Sequence, residues 1–124
     1  MRYVSDAALE GYVKEGTVRE ALRRVRQYVE GLPRLQGRSF ERGYMKAYGL
    51  FAVGKPPGER PFDFAVNKSS LKCYIRKPGL VALGPVRQQR VLSSFPAAAV
   101  LNGELRVDIT DSAEAEMLLA CLFE

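Results

Sequence analysis

Residues 62–77 read Phe-Asp-Phe-Ala-Val-Asn-Lys-Ser-Ser-Leu-Lys-Cys-Tyr-Ile-Arg-Lys. Phe62, Phe64 and Val66 alternate with Asp63, Ala65 and Asn67, and beyond Lys68-Ser69-Ser70 the alternation resumes with Leu71, Cys73 and Ile75 against Lys72, Tyr74 and Arg76. A period of two residues marks a strand that buries one face. Asn67 to Ser70 have turn chemistry, because Asn tolerates a left-handed backbone and Ser can bond its own main chain. The stretch therefore predicts a β-hairpin whose inward face is apolar and whose outward face is basic. Pro61 and Pro78 bracket it, and proline, which cannot donate to a ladder, belongs at strand ends.

Upstream, Ser5 or Asp6 caps a short helix that runs to about Lys14 with Leu9, Tyr12 and Val13 on one side, and Gly16 closes it. Thr17 and Glu20 form a capping box for a second helix, whose Val18, Ala21, Leu22, Val25, Tyr28 and Val29 recur at helical spacing up to Gly31. Leu32 to Phe40 reads as a loop. Tyr44 to Val53 alternates as a strand, with a competing reading in which Ser39 caps a helix through Phe40, Tyr44 and Ala47. Lys55-Pro56-Pro57-Gly58-Glu59-Arg60 is a loop by its prolines and glycine.

Downstream of the hairpin, Leu80 to Leu83 reads as a short apolar strand, and Pro85 suits the first turn of a helix through Val86, Gln89, Leu92 and Phe95. Asn102-Gly103 signals a tight hairpin turn between strands Ala97 to Leu101 and Glu104 to Ile109, with Leu105, Val107 and Ile109 inward. Asp111 and Glu114 make a capping box for a last helix that packs through Met117, Leu118, Cys121 and Leu122. These elements predict a single α+β domain spanning residues 1–124. It has a mostly antiparallel sheet of four to six strands, with two N-terminal helices and one C-terminal helix packed on it. Lys72, Tyr74, Arg76 and Lys46 should emerge on the other face or its rim.

The chain has 124 residues, 47% of them hydrophobic, which suits one domain with a real core. No run approaches the roughly 18 apolar residues of a membrane span, and the first residues lack the apolar centre of a signal peptide, so a cytoplasmic protein is expected. Cys73 and Cys121 fall on predicted core faces and read as buried thiols rather than as a disulfide or a zinc site. The net charge of +5 is unevenly spread: residues 1–90 carry 18 Lys and Arg against 8 Asp and Glu, and residues 91–124 carry one against 6. A basic body with an acidic tail suggests an acidic partner, nucleic acid being the commonest.

The chain contains no histidine, which removes the usual general base and the usual metal ligand together. Its glycines follow no phosphate-loop or dinucleotide pattern. Glu59, Asp63, Lys68 and Lys72 are too poor in convergent carboxylates for a Mg²⁺ site, so Asp63 reads as a structural acid paired with a neighbouring arginine. No cofactor, metal or catalytic residue is assigned, and the chain reads as non-enzymatic.

What remains is basic side chains interleaved with aromatics. Tyrosines on an exposed sheet can stack bases while Lys and Arg hold phosphates, as on sheets that bind single strands. The candidate binding residues are Lys72, Tyr74, Arg76, Lys68 and Lys46, together with Arg19, Arg23 and Arg26 on the outer face of the second helix. Tyr48 reads as a packing residue and Tyr74 as a surface one. The expected function is binding of nucleic acid or of a nucleic-acid-containing assembly. The alternative is a protein-interaction module that regulates or inhibits a larger complex, of the phage or plasmid counter-defence type. The two charge regions could also meet across subunits in a homodimer.

Overall fold

The computed structural model describes residues 1–56 and 59–124. The chain runs β1 (Arg2–Tyr3), α1 (Asp6–Tyr12), α2 (Gly16–Glu30), β2 (Leu35–Arg42), β3 (Met45–Ala52), β4 (Phe62–Val66), β5 (Leu71–Ile75), α3 (Lys77–Ser94), β6 (Ala99–Leu101), β7 (Glu104–Ile109) and α4 (Ser112–Phe123). Among the described residues the strands form one sheet in the order β1-β2-β3-β4-β5-β7-β6, every neighbour antiparallel. This is an α+β domain of two layers, with seven strands among the described residues where the sequence suggested four to six, and four helices.

The β4–β5 hairpin is central. It pairs Phe62 with Ile75, Phe64 with Cys73 and Val66 with Leu71, and all six side chains are buried in the main core as their alternation requires. Leu105, Val107 and Ile109 of β7 extend that face. Leu9 and Val13 at α1, Val18 to Val29 of α2, Leu83 and Val91 of α3, and Ala115 to Leu122 of α4 cover it. Each such buried aliphatic side chain is worth about 1.5–3 kcal/mol, which explains why one sheet face carries all the helices.

The helix ends follow local chemistry. Ser5 Oγ accepts from Ala8 N at the start of α1. Asp111 Oδ1 accepts from Glu114 N, and Glu114 Oε1 reaches back to Thr110 N, a capping box whose return arm lands one residue early. For α2 the predicted Thr17 cap is displaced: the helix starts at Gly16 with Glu15 as N-cap and no side-chain cap bond. The β6–β7 turn uses Asn102 and Gly103 at φ 52° and 75°, the positive values that a type I′ turn needs.

Three expectations are corrected. Leu80 to Leu83 is helical, because a short apolar run has no period of its own and Pro78 lies in the first turn, where its fixed φ favours a helix. That helix breaks at Gly84 (φ 72°) and restarts at Pro85. Residues 35–42 form a full strand rather than a loop. Its helix-side positions are Leu35, Gly37, Ser39 and Glu41, opposed by Ala52, Leu50, Tyr48 and Lys46, so the apolar alternation is inverted and hidden. Ser39 accordingly caps no helix; its Oγ donates to Asp6 Oδ1 at 2.5 Å, tying α1 to β2. The predicted loop from Lys55 to Arg60 includes Pro57 and Gly58, which lie outside the described residues.

Candidate nucleic-acid interface

Directly opposed residues in antiparallel strands share a face. The register therefore sets two rows across the face that the helices leave uncovered. One runs Tyr3, Phe40, Ala47, Ala65, Lys72, Asp108, and the next runs Arg38, Gly49, Asp63, Tyr74, Arg106, Ala99. Arg76 and Glu104 stand one step further along their strands.

The β1–β3 side of this face is apolar. Phe40, Ala47 and Phe51 form a small second core with Met45 against it, and Tyr3 sets its ring edge-on to Phe51 with centroids 6.3 Å apart. The Arg38 guanidinium carbon lies 3.8 Å from the Tyr3 centroid, a cation–π stack on an exposed aromatic. In the middle, Arg60 lies over Phe40 and Phe51 and donates from Nε to Asp63 Oδ1 at 2.5 Å. Burial pushes the Asp63 carboxyl above the usual carboxylate range, with the Arg60 bond pulling the other way. Asp63 thus pairs with a neighbouring arginine, as the sequence suggested.

The β5–β7 side is charged. Lys72 Nζ is 3.9 Å from Asp108 Oδ1, and Arg76 Nε is 3.5 Å from Glu104 Oε2. Arg76 Nη1 also donates to the Arg60 carbonyl at 3.0 Å. Tyr74, half-buried, sits between these pairs with Arg106 opposite it. A phosphate that engaged Lys72 or Arg76 would compete with a carboxylate for each.

The eight sequence-derived candidates do not share one surface. Lys72, Tyr74 and Arg76 lie on the open face. Lys46 points to the helix side, contrary to expectation: it pairs with Glu41 at 3.3 Å, and its Nζ lies 4.9 Å from the Tyr12 centroid. Register explains this, since Lys46 opposes Glu41 and both share the face of Tyr48 and Leu50. Lys68, in the β4–β5 turn, approaches the same Tyr12 ring at 5.8 Å. Bonds from Arg2 and Lys46 hold the Glu41 carboxyl below its ordinary range.

Arg19, Arg23 and Arg26 belong to the helix layer, across the sheet from the open face. Arg23 Nε donates to Glu10 Oε1 at 2.6 Å, and Arg26 Nη1 lies 3.2 Å from Glu10 Oε2 without hydrogen-bond alignment. These two arginines thus join α2 to α1. Arg24 makes a similar link to Glu116 of α4 at 2.8 Å. Arg19 lines a polar cleft of about 440 Å³ with Glu10, Glu20 and Arg23.

The open face holds basic residues that the sequence reading passed over, namely Arg38, Arg42 and Arg106. The inward set Leu105, Val107 and Ile109 already implied that Arg106 points outward, but its place beside Tyr74 needed the β5–β7 pairing. Among the described residues no group of three or more His, Cys, Asp or Glu could hold a metal, and Cys73 and Cys121 are both buried and free. No described helix is long and apolar enough to cross a membrane. Comparison with protein-family models, with curated proteins and with solved structures finds no match.

Proposed function

We propose that the protein is a basic, non-enzymatic binder of single-stranded nucleic acid, or of an assembly containing it, and that it uses the open sheet face. The observation that carries this reading is the spacing of aromatics and cations on that face: Tyr3 under Arg38 at one side, and Tyr74 among Lys72, Arg76 and Arg106 at the other. Tyrosine faces stack bases without regard to sequence, and the surrounding cations meet phosphates. A sheet face not covered by helices suits an extended single strand better than a duplex. The partner would be met in the cytoplasm.

The test is fluorescence anisotropy with a labelled single-stranded oligonucleotide across a salt series. Engagement of about four phosphates gives a log–log salt slope near −3. Changing Lys72, Tyr74 and Arg76 to Ala, Ser and Ala should abolish most of the affinity. Binding that ignores NaCl, or survives the triple change, would end the reading.

A second reading, a protein-interaction module that regulates or inhibits a larger complex, is favoured by one feature. Lys72 and Arg76 already have acidic neighbours in Asp108 and Glu104, so the β5–β7 side presents charges of both signs, which suits a protein surface. A stoichiometric protein partner that survives nuclease treatment in a pull-down would favour it. Under either reading, assembly as a homodimer is checked by the solution mass at low and high salt.

A further inference from the structure

Away from the open face, an apolar cavity of about 380 Å³ opens between the ends of β2 and β3, the start of β4, the first segment of α3 and the end of α4. Leu35, Phe62, Leu83, Leu122 and Phe123 supply its walls. Phe62, Leu83 and Leu122 are members of the main core, so the opening gives a small molecule direct access to core side chains. Its volume falls within the few hundred Å³ of ordinary ligand sites, and like them it is mostly apolar with a few polar groups.

Those polar groups are Arg34, Lys55 and Glu59, all exposed at the rim. No ion pair joins any of them to another described residue. Two cations and one carboxylate leave the rim with a net charge of +1. An apolar interior below an electropositive rim is complementary to a molecule with an apolar body and a single anionic head.

We infer that this cavity is a binding site for a small amphipathic carboxylate, with the chain or ring against Phe62, Leu83 and Leu122 and the carboxylate at Arg34 and Lys55. The site is independent of the open face, because its walls lie on the helix side of the sheet. Arg34 and Lys55 select the charge of the ligand, and the walls supply most of the affinity through apolar burial.

The test uses the full chain and two probes of matched length, sodium octanoate and octanol, titrated while the Leu83 and Leu122 methyl resonances are followed by NMR. Octanoate should shift both saturably and bind about fivefold more tightly than octanol, the scale of a rim ion pair. Changing Arg34 and Lys55 to Gln should bring octanoate down to the level of octanol. Ala82→Trp fills the opening from an exposed helix position and should remove both ligands with the fold intact. Ala52→Met does the same from β3, should Ala82→Trp not fold. Absence of saturable shifts at these methyls, equal affinity for the two probes, or binding that persists in both filled variants would each overturn the assignment.

Discussion

Arg60 and Asp63 form an ion pair on the open sheet face with both side chains less than a tenth exposed, Nε standing 2.5 Å from Oδ1. The guanidinium lies over Phe40 at 5.0 Å and Phe51 at 5.6 Å, so neither charge has bulk water to fall back on. Removing one partner leaves the other buried and unpaired. Asp63→Ala is expected to cost about 3 kcal/mol by urea unfolding. The double change Arg60→Met with Asp63→Leu should recover most of that loss, because an apolar pair fits the Phe40–Phe51 surroundings. A double variant as unstable as the single one would show that the pair matters through something other than its charges.

Glu10 predicts the response to acid. Its carboxyl lies below the ordinary value of 4.5, chiefly through the Arg23 hydrogen bond, with Arg26 adding to it. A depressed folded-state pKa gives stability that is present above the unfolded value and lost as pH falls through the folded one. Glu10→Gln should therefore cost about 1 kcal/mol at pH 7 and progressively less as pH falls below 4.5 through the folded-state value. Asp63 works in the opposite sense. Burial raises its pKa, so its contribution is greatest below its unfolded value and declines as pH rises through the folded one. Urea midpoints of the wild type, Glu10→Gln and Asp63→Asn from pH 3 to 7 separate the two slopes. A Glu10→Gln deficit that does not change with pH would refute the account.

Gly37 is required by Tyr48. A Cβ at residue 37 would sit 1.8 Å from the Tyr48 hydroxyl and 2.2 Å from the ring carbon that bears it. Tyr48 is only 3% exposed, and burial lifts its hydroxyl to a pKa of about 12, so the ring cannot swing out to solvent without loss. Gly37→Ala should destabilise by about 2–3 kcal/mol, the scale of overpacking. The cost should largely disappear in a Tyr48→Ala background, and a double-mutant cycle measures this coupling. Additive effects would mean that the ring does not set the demand for glycine.

The hairpin at 62–75 and the last helix were legible because their chemistry is local: an alternating period, turn residues, a capping box. The β2 strand was hidden because its buried face is built from Gly37 and Ser39, small residues that make room for Tyr48 and bond Asp6, and neither demand appears until β3 and α1 are in place. The α3 segment 77–83 was misread because Leu80 to Leu83 fits a helix or a strand equally well, and it is Pro78 in the first turn that favours the helix. Of the candidate site, the alternation in β5 correctly turned Lys72, Tyr74 and Arg76 outward. Lys46 was misplaced because the alternation of β3 alone does not say which face is covered. The acids opposite Lys72 and Arg76 come from β7, some thirty residues on, and became neighbours only through the sheet order.

Those acids provide the sharpest check on the open face as a nucleic-acid surface. Asp108 holds Lys72 at 3.9 Å and Glu104 holds Arg76 at 3.5 Å, so a phosphate must displace both. Asp108 is more than half exposed, and replacing either acid by its amide should change stability by no more than about 0.5 kcal/mol. Asp108→Asn with Glu104→Gln raises the net charge from +5 to +7 and removes the carboxylates beside Lys72 and Arg76. Single-stranded oligonucleotide affinity should rise about tenfold at low salt, with the gain shrinking as NaCl screens the added charge. Affinity that stays level or falls in a folded double variant would mean that the carboxylates belong to the recognition surface, as the protein-partner reading requires.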